Sequence, residues 1–438
     1  MVEFVLVALF AAGLLLCVAA NLSVLYALLF GYALFFGYGV WKRRSGWEVW
    51  RLSLVGVRTV QNIVSKFILI GMITAAWRAC GTIPWILYHA SGLCVPSLML
   101  LTTFLLCGLM SFLTGSSFGT VATAGVICGT LCSGMGIPVW YTGGAVLSGV
   151  YFGDRGSPMS TSAILVSELT KTDIFRNVRT MAKTSLVPFC ITCLLYWGIG
   201  TTCQGSSTGG SVLQIFAEHF QLNIWTALPA AVILLLSLLR VPVGRTMGVS
   251  IAIGAAVALG VQKVAPLELL RILLLGYHPA DPQLAEILQG GGVTSMLKTM
   301  AIVALSSSYA GIFEGTGFLN VMKERVHRVS KRLTPYGGLL LTSVLTGAVA
   351  CNQTLSVVLT HQLCASPEYE GEELAADMEN SVIIVTPLIP WCIAAAVPLT
   401  AVGAPDSSIL LAFYLWLIPV WNLLWKWVQR KRQRVKAL

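Results

Sequence analysis

The chain has 438 residues, 56% of them hydrophobic and only 11% charged, with a mean hydropathy of +0.81. A soluble protein of this size carries about a quarter of its residues as charges, so the composition excludes one and describes an integral membrane protein. The net charge of +10 does not point to nucleic acid, because Lys and Arg collect in short clusters beside apolar spans, as the positive-inside rule expects.

The apolar runs are about 20 residues long and lack period-2 alternation, which selects an α-helical bundle over a β-barrel. Val5 to Ala20 and Leu22 to Val40, parted by Asn21, suggest a helical hairpin. Glu3 stands where a cleaved signal would carry basic residues, so this is read as a first membrane segment. Lys42, Arg43 and Arg44 place residues 41–62 in the cytoplasm, and Trp47 and Trp50 suit an interfacial helix there. The span Ile63 to Ala79 is flanked by Lys66 and Arg78, which can snorkel to the interfaces.

Ser97 to Phe112 runs into LTGSSFGTVATAG at 113–125. Its glycines and hydroxyls weaken a helix and leave backbone carbonyls to be satisfied elsewhere. Two readings fit: a broken transporter helix that turns carbonyls and the hydroxyls of Ser116, Ser117 and Thr120 toward a cation, or close helix crossing through small residues.

The next polar stretch, YFGDRGSPMSTSAILVSELTKTD at 151–173, sets Asp154, Arg155 and hydroxyls including Ser157 between long apolar segments. An ionisable residue at membrane depth reads as an ion or substrate site. The alternatives are a cytoplasmic loop, suggested by Lys171, Arg176, Arg179 and Lys183, or an Asp154–Arg155 ion pair. Residues 171–183 are expected in the cytoplasm, and the Lys- and Arg-free 201–223 outside. The span Thr294 to Phe313 descends to a strong basic cluster from Lys323 to Arg332.

Beyond it the chain repeats faintly. SFLTGSSFGTVAT at 111–123 lines up with SVLTGAVACNQTLS at 343–356, and the flanking charges give the two copies opposite topology. That is the mark of inverted repeats rocking about a midplane site. Asn352, Gln353 and Thr354 suit either a solute or freed backbone groups at the second break. The acidic, Lys- and Arg-free stretch 366–380 is expected outside. TPLIPWCIAAAVPLTAVGAP at 386–405 is broken by prolines, and the tail after Trp427 is basic and cytoplasmic. The division this implies is 1–62 hairpin and interfacial helix, 63–201 first repeat, 202–293 connecting spans, 294–428 second repeat and 429–438 tail.

Three motifs in order, TGSSFGT at 114–120, FGDRGSPMS at 152–160 and ENSVIIVTPLIPW at 379–391, with GIFEGTGFL at 311–319 in support, resemble the NhaC-type sodium/proton antiporters of the ion transporter superfamily. That group also includes sodium-lactate/malate-proton exchangers. The resemblance covers most of the chain from about residue 60 onward. It implies an all-α polytopic fold of two inverted repeats with discontinuous helices and re-entrant segments, and a central cation site, in a bacterial inner membrane. Asp154 and Ser157 match the family's carboxylate and serine, Ser116, Ser117 and Thr120 its first break, and Glu379 and Thr386 its second-half carboxylate and turn. Thr161, Asn380 and Cys392 depart from the acidic, acidic and asparagine positions of the family.

An antiporter makes sodium and protons compete for carboxylates whose pKa lies near ambient pH. Thinned carboxylates therefore widen the choice to include coupled exchange or symport of a small organic acid or amino acid. No cofactor is implied beyond sodium as the transported or coupling ion. The partners are sodium, protons, an optional organic solute and lipid, and a homodimer stays open. A channel would need repeated pore-lining rings. An intramembrane enzyme would need a nucleophile–base set or a metal motif, and the five histidines form none. Both termini are expected in the cytoplasm.

Overall fold

The computed structural model describes residues 2–19, 23–42, 44–59, 61–90, 95–158, 160–203, 215–239, 241–318, 334–366 and 369–436. The Asn21 break and the Lys323 to Arg332 cluster lie outside the described residues, as do the side chains of Glu314 and of Arg430 onward. The regular elements among the described residues are helical. They are α1 (Val2–Ala19), α2 (Val24–Trp41), α3 (Gly46–Thr59), α4 (Gln61–Ala79), α5 (Thr82–Ala90), α6 (Pro96–Thr114) and α7 (Ser117–Gly134). There follow α8 (Val139–Gly156), α9 (Thr161–Thr170), α10 (Ile174–Thr202), α11 (Ile224–Leu238), α12 (Val243–Gly260), α13 (Pro266–Leu275), α14 (Pro282–Leu288) and α15 (Leu297–Thr316). The last are α16 (Pro335–Ala350), α17 (Gln353–Cys364), α18 (Gly371–Leu388), α19 (Ile393–Ala401) and α20 (Phe413–Lys436). Among the described residues α6, α7 and α10 are each long and apolar enough to cross a membrane, and α18 with α19, bent by 56°, forms either one broken span or a re-entrant loop.

Two of the breaks reverse the chain. Gly115 caps α6 in the left-handed conformation (φ 64°) and the extended Ser116 caps α7, accepting from the Gly119 amide at 3.1 Å. Far from the turn the two legs still touch, Thr103 Oγ1 lying 3.5 Å from Cys132 Sγ, so α6 and α7 form a hairpin. In the second half Cys351 takes the left-handed position (φ 54°) and extended Asn352 the cap, its Oδ1 accepting from the Thr354 amide at 2.9 Å. Thr346 and Thr360 then meet across the legs at 2.7 Å, so α16 and α17 form a second hairpin. The chain turns at once after Leu113-Thr114-Gly115 but one helical turn later after Leu345-Thr346-Gly347, because the tips, and not the shared LTG, are equivalent.

Each hairpin is followed by a broken helix of matching plan. In the first, α8 ends at Gly156 and α9 begins at Thr161; in the second, α18 ends at Leu388 and α19 begins at Ile393. Pro158 and Pro390 fall at the same place in the two breaks. A proline cannot continue a helix and biases the residue before it to extended backbone, which is why both helices stop there.

The long α10 fixes the sides. Near its start Arg176 pairs with Glu372 of α18 at 3.0 Å. Near its end Gly200 sits against Ser97 of α6, where a Cβ would lie 2.1 Å from the Ser97 carbonyl oxygen. The open end of the first hairpin and that of the second therefore lie on opposite sides, and the repeats are inverted. Thr184 of α10 stands level with Arg155. That level is the border between the basic first turns of α10, with exposed Arg176, Arg179 and Lys183, and its apolar remainder.

This geometry corrects one expectation. The acidic stretch 366–380 is not on the side opposite residues 171–183 and the tail, since Glu372 pairs with Arg176 and Lys426 of α20 binds Glu373 at 3.0 Å and also Asp377. The positive-inside rule counts Lys and Arg, while Asp and Glu contribute little. The lack of basic residues suggested an outside loop only because a hairpin had been read as a crossing. Arg78, expected to snorkel to an interface, lines a cavity and donates to the Thr74 carbonyl at 2.9 Å.

Packing brings the first tip onto the first break. Gly149 and Gly153, spaced four apart on one face of α8, let α6 approach so closely that a Cβ at Gly153 would stand 2.3 Å from the Gly108 carbonyl oxygen. Close crossing through small residues is the usual driving contact between membrane helices, and here it sets the depth of Ser116 against Asp154. The second tip meets the second break through a hydrogen bond from the Ile393 amide to the Cys351 carbonyl at 3.0 Å.

Candidate functional site

Asp154 occupies the last turn of α8 and is 3% exposed. Its Oδ1 accepts from Ser160 Oγ at 2.8 Å and its Oδ2 from Ser162 Oγ at 3.2 Å. Ser160 is also the N-cap of α9, accepting from the Ser162 amide at 3.1 Å. The Ser117 amide, at the start of α7, faces the same carboxylate electrostatically. Two helix N-termini, each with a partial positive charge and free amides, thus converge on one buried carboxylate. Ser157, fully buried, ends α8 beside them.

Arg155 is 1% exposed, and its guanidinium is hydrogen-bonded to groups other than Asp154. Its Nη1 donates to the Tyr414 hydroxyl at 2.8 Å, and Nη2 donates to Thr184 Oγ1 at 3.3 Å and to Asn380 Oδ1. Asn380 in turn donates to Asn422 Oδ1 at 3.2 Å, and its carbonyl accepts from the Tyr336 hydroxyl at 2.9 Å. Glu379, beside it, is not an exposed loop carboxylate: it is fully buried, and neither side-chain oxygen has a hydrogen-bond partner among the described residues. It lies within electrostatic range of both Arg155 and Asp154. With both carboxylates ionised, two negative groups face one guanidinium, and the enclosed cluster is short of one positive charge.

The remaining residues singled out in the sequence divide between this cluster and the helix breaks. The Thr120 hydroxyl donates to the Ser116 carbonyl at 2.9 Å and lies 3.2 Å from Thr114 Oγ1, just before a π-helical turn at Val121–Gly125. Such turns leave the regular hydrogen-bond ladder and are frequent at functional sites. Asn352 caps α17, and Gln353 Nε2 donates to the Ile383 carbonyl at 3.1 Å, so both satisfy backbone at the second break. Thr354 is exposed, and Thr386 is buried with its hydroxyl 3.4 Å from the Ile383 carbonyl. Tyr151, one turn before Asp154, donates to the Ala394 carbonyl at 2.8 Å and so ties the first broken helix to the second.

The sequence marks Ser160 and Ser162 among the hydroxyls of this stretch and Asn380 as a solute or helix-break candidate, but it does not join the serines to Asp154 or Asn380, Tyr414 and Thr184 to Arg155. The serines were visible as hydroxyls six and eight residues after Asp154. Only the helix break at Pro158 brings them back to it. Asp377, placed in an acidic loop, is 2% exposed and bound by Tyr369 and Lys426, a compensated pair on the Arg176 side of the cluster.

A sequence profile of the Na+/H+ antiporter family matches residues 2–167 and 149–425. Among similar proteins, the malate-2H+/Na+-lactate antiporter of Bacillus subtilis is 28% identical over 77% of this chain and 73% of its own length. The Na+/H+ antiporter NhaC of Alkalihalophilus pseudofirmus is 26% identical over 87% of this chain and 85% of its own. The arginine/ornithine antiporter ArcD of Halobacterium salinarum is 28% identical over 86% and 81%.

Proposed function

The chain belongs to the Na+/H+ antiporter family, and from that membership we propose that it exchanges sodium for protons by alternating access at the Asp154–Arg155–Glu379 cluster. The observation that carries the reading is the charge count: two enclosed carboxylates against one guanidinium, with the Glu379 oxygens lacking a hydrogen-bond partner among the described residues. Burying an uncompensated charge in a membrane is costly. The cluster is stable when one monovalent cation is present, and sodium and the proton compete for that place. Asp154 is the primary ligand, because its two oxygens are already oriented by Ser160 and Ser162. Ser157 and the first tip, Ser116, Ser117 and Thr120, supply the neighbouring oxygens.

The side bearing Arg176, Lys426 and the basic tail is cytoplasmic in this reading. Glu3 and Lys42 lie 3.8 Å apart at the two ends of the α1–α2 hairpin, which puts the N-terminus beside Lys42 and hence also in the cytoplasm. Alternating access exchanges ions without catalysing a chemical step, and the protein acts as a transporter rather than an enzyme. The test is exchange in sealed proteoliposomes. An imposed sodium gradient drives a change of internal pH, and an imposed pH gradient drives uptake of labelled sodium. A protein that moves neither ion against the other's gradient is not a sodium/proton antiporter.

A second reading, coupled exchange of a small organic acid or amino acid, is favoured by one observation. A cavity of about 850 Å³ reaches Pro390 at the second break, far more room than a sodium ion needs and within the range of small-molecule sites. Relatives named as malate/lactate and arginine/ornithine antiporters support it.

A further inference from the structure

The cavity of about 850 Å³ is separate from the carboxylate cluster, since neither Asp154 nor Glu379 lines it. It lies between α4, the end of α7, α15 and α19, on the side opposite Arg176. Three charged residues line it: Arg78, Lys298 and Asp406. Asp406 lies within electrostatic range of Lys298. Arg78 has no such partner. Its Nη1 donates to the Thr74 carbonyl at 2.9 Å, its Nε is buried without an acceptor, and no carboxylate stands within 4.0 Å of it among the described residues.

Two cations against one anion leave the lining with one unit of positive charge. That field opposes a sodium ion entering alone and attracts an anion. A guanidinium offers a planar fork of donors that matches a carboxylate, and the hydroxyl residues Thr130, Ser133 and Ser295 share the wall. We propose that this vestibule binds a small carboxylate anion, with Arg78 as its main partner and Lys298 as a second. The site deepens the second reading above by naming where an organic acid would be held, and it rests on that reading only for what the bound anion is used for. It requires binding alone.

The test uses the full-length protein purified in detergent, in sodium-free choline salts, so that failure of sodium/proton exchange does not bear on it. Propionate, succinate and chloride are titrated by calorimetry at constant ionic strength, with melting followed by tryptophan fluorescence. The expected result is that a carboxylate binds and raises the melting temperature, that chloride does neither, and that Arg78→Gln weakens carboxylate binding by about tenfold or more while Lys298→Gln weakens it less. Absence of carboxylate binding, equal binding of chloride, or unchanged affinity in Arg78→Gln overturns the proposal. Should Arg78→Gln not fold, Thr130→Trp fills the cavity and leaves Arg78 in place. Carboxylate binding is then expected to disappear, and its survival is the contrary result.

Discussion

Asp154→Asn is expected to abolish sodium-driven proton movement in proteoliposomes, with a loss of about 100-fold or more. The substitution keeps the size of the side chain and an oxygen for Ser160, but removes the negative charge. The cluster is then one guanidinium and one carboxylate, already neutral, with nothing to offset the hydration a cation leaves behind. A charge-assisted contact worth about 3 kcal/mol corresponds to roughly two powers of ten in affinity. Glu379→Gln removes the same unit of charge from the same enclosure, and on the charge count it also silences exchange. Retained exchange in Glu379→Gln, alongside loss in Asp154→Asn, would show that Asp154 acts as a local ligand and that the count is wrong.

Arg155→Met is expected to reduce stability more than any other single change in the site, by about 3–5 kcal/mol, the usual result of stripping a buried charge of its partner. Asp154 and Glu379 would face each other with no compensation, and Asn380, Tyr414 and Thr184 would lose a shared donor. Adding Glu379→Gln should recover part of the loss, because it removes one of the two stranded charges. The measurement is a double-mutant cycle on melting in detergent, with a coupling of about 1 kcal/mol or more between residues in one network. Additive losses would mean that Arg155 holds helices together through its hydrogen bonds and has no electrostatic role toward Glu379.

The parts legible in the sequence are those written in local chemistry. Composition determines the membrane class, and Gly115, Pro158 and Pro390 mark the points where helices stop, because glycine and proline act on their own backbone. Asp154 stood out as a carboxylate between apolar segments. Re-entrant segments are expected from the resemblance but cannot be located in the sequence, since an apolar run, a polar break and a second apolar run describe two crossings as well as one re-entrant pair. Only contacts such as Thr346 to Thr360 decide between them, and the sidedness of 366–380 follows from that decision.

The partners of Arg155 were hidden for a similar reason. Tyr414 and Asn380 lie 259 and 225 residues away in the chain, and no periodicity links positions so distant. Arg78 ended an apolar span, where a snorkelling side chain is the ordinary expectation. The cavity that it lines is built by four helices remote from one another in sequence.

The most direct measurement of the central claim is sodium affinity of the purified protein as a function of pH. If one buried place is held by either sodium or a proton, linkage requires the apparent sodium Kd to rise about tenfold for each unit fall in pH once the site is protonated. About one proton is then released for each sodium bound under the same conditions. A sodium Kd that stays constant across that range, with no proton release, would contradict a shared site and remove the Asp154–Arg155–Glu379 cluster from the coupling mechanism.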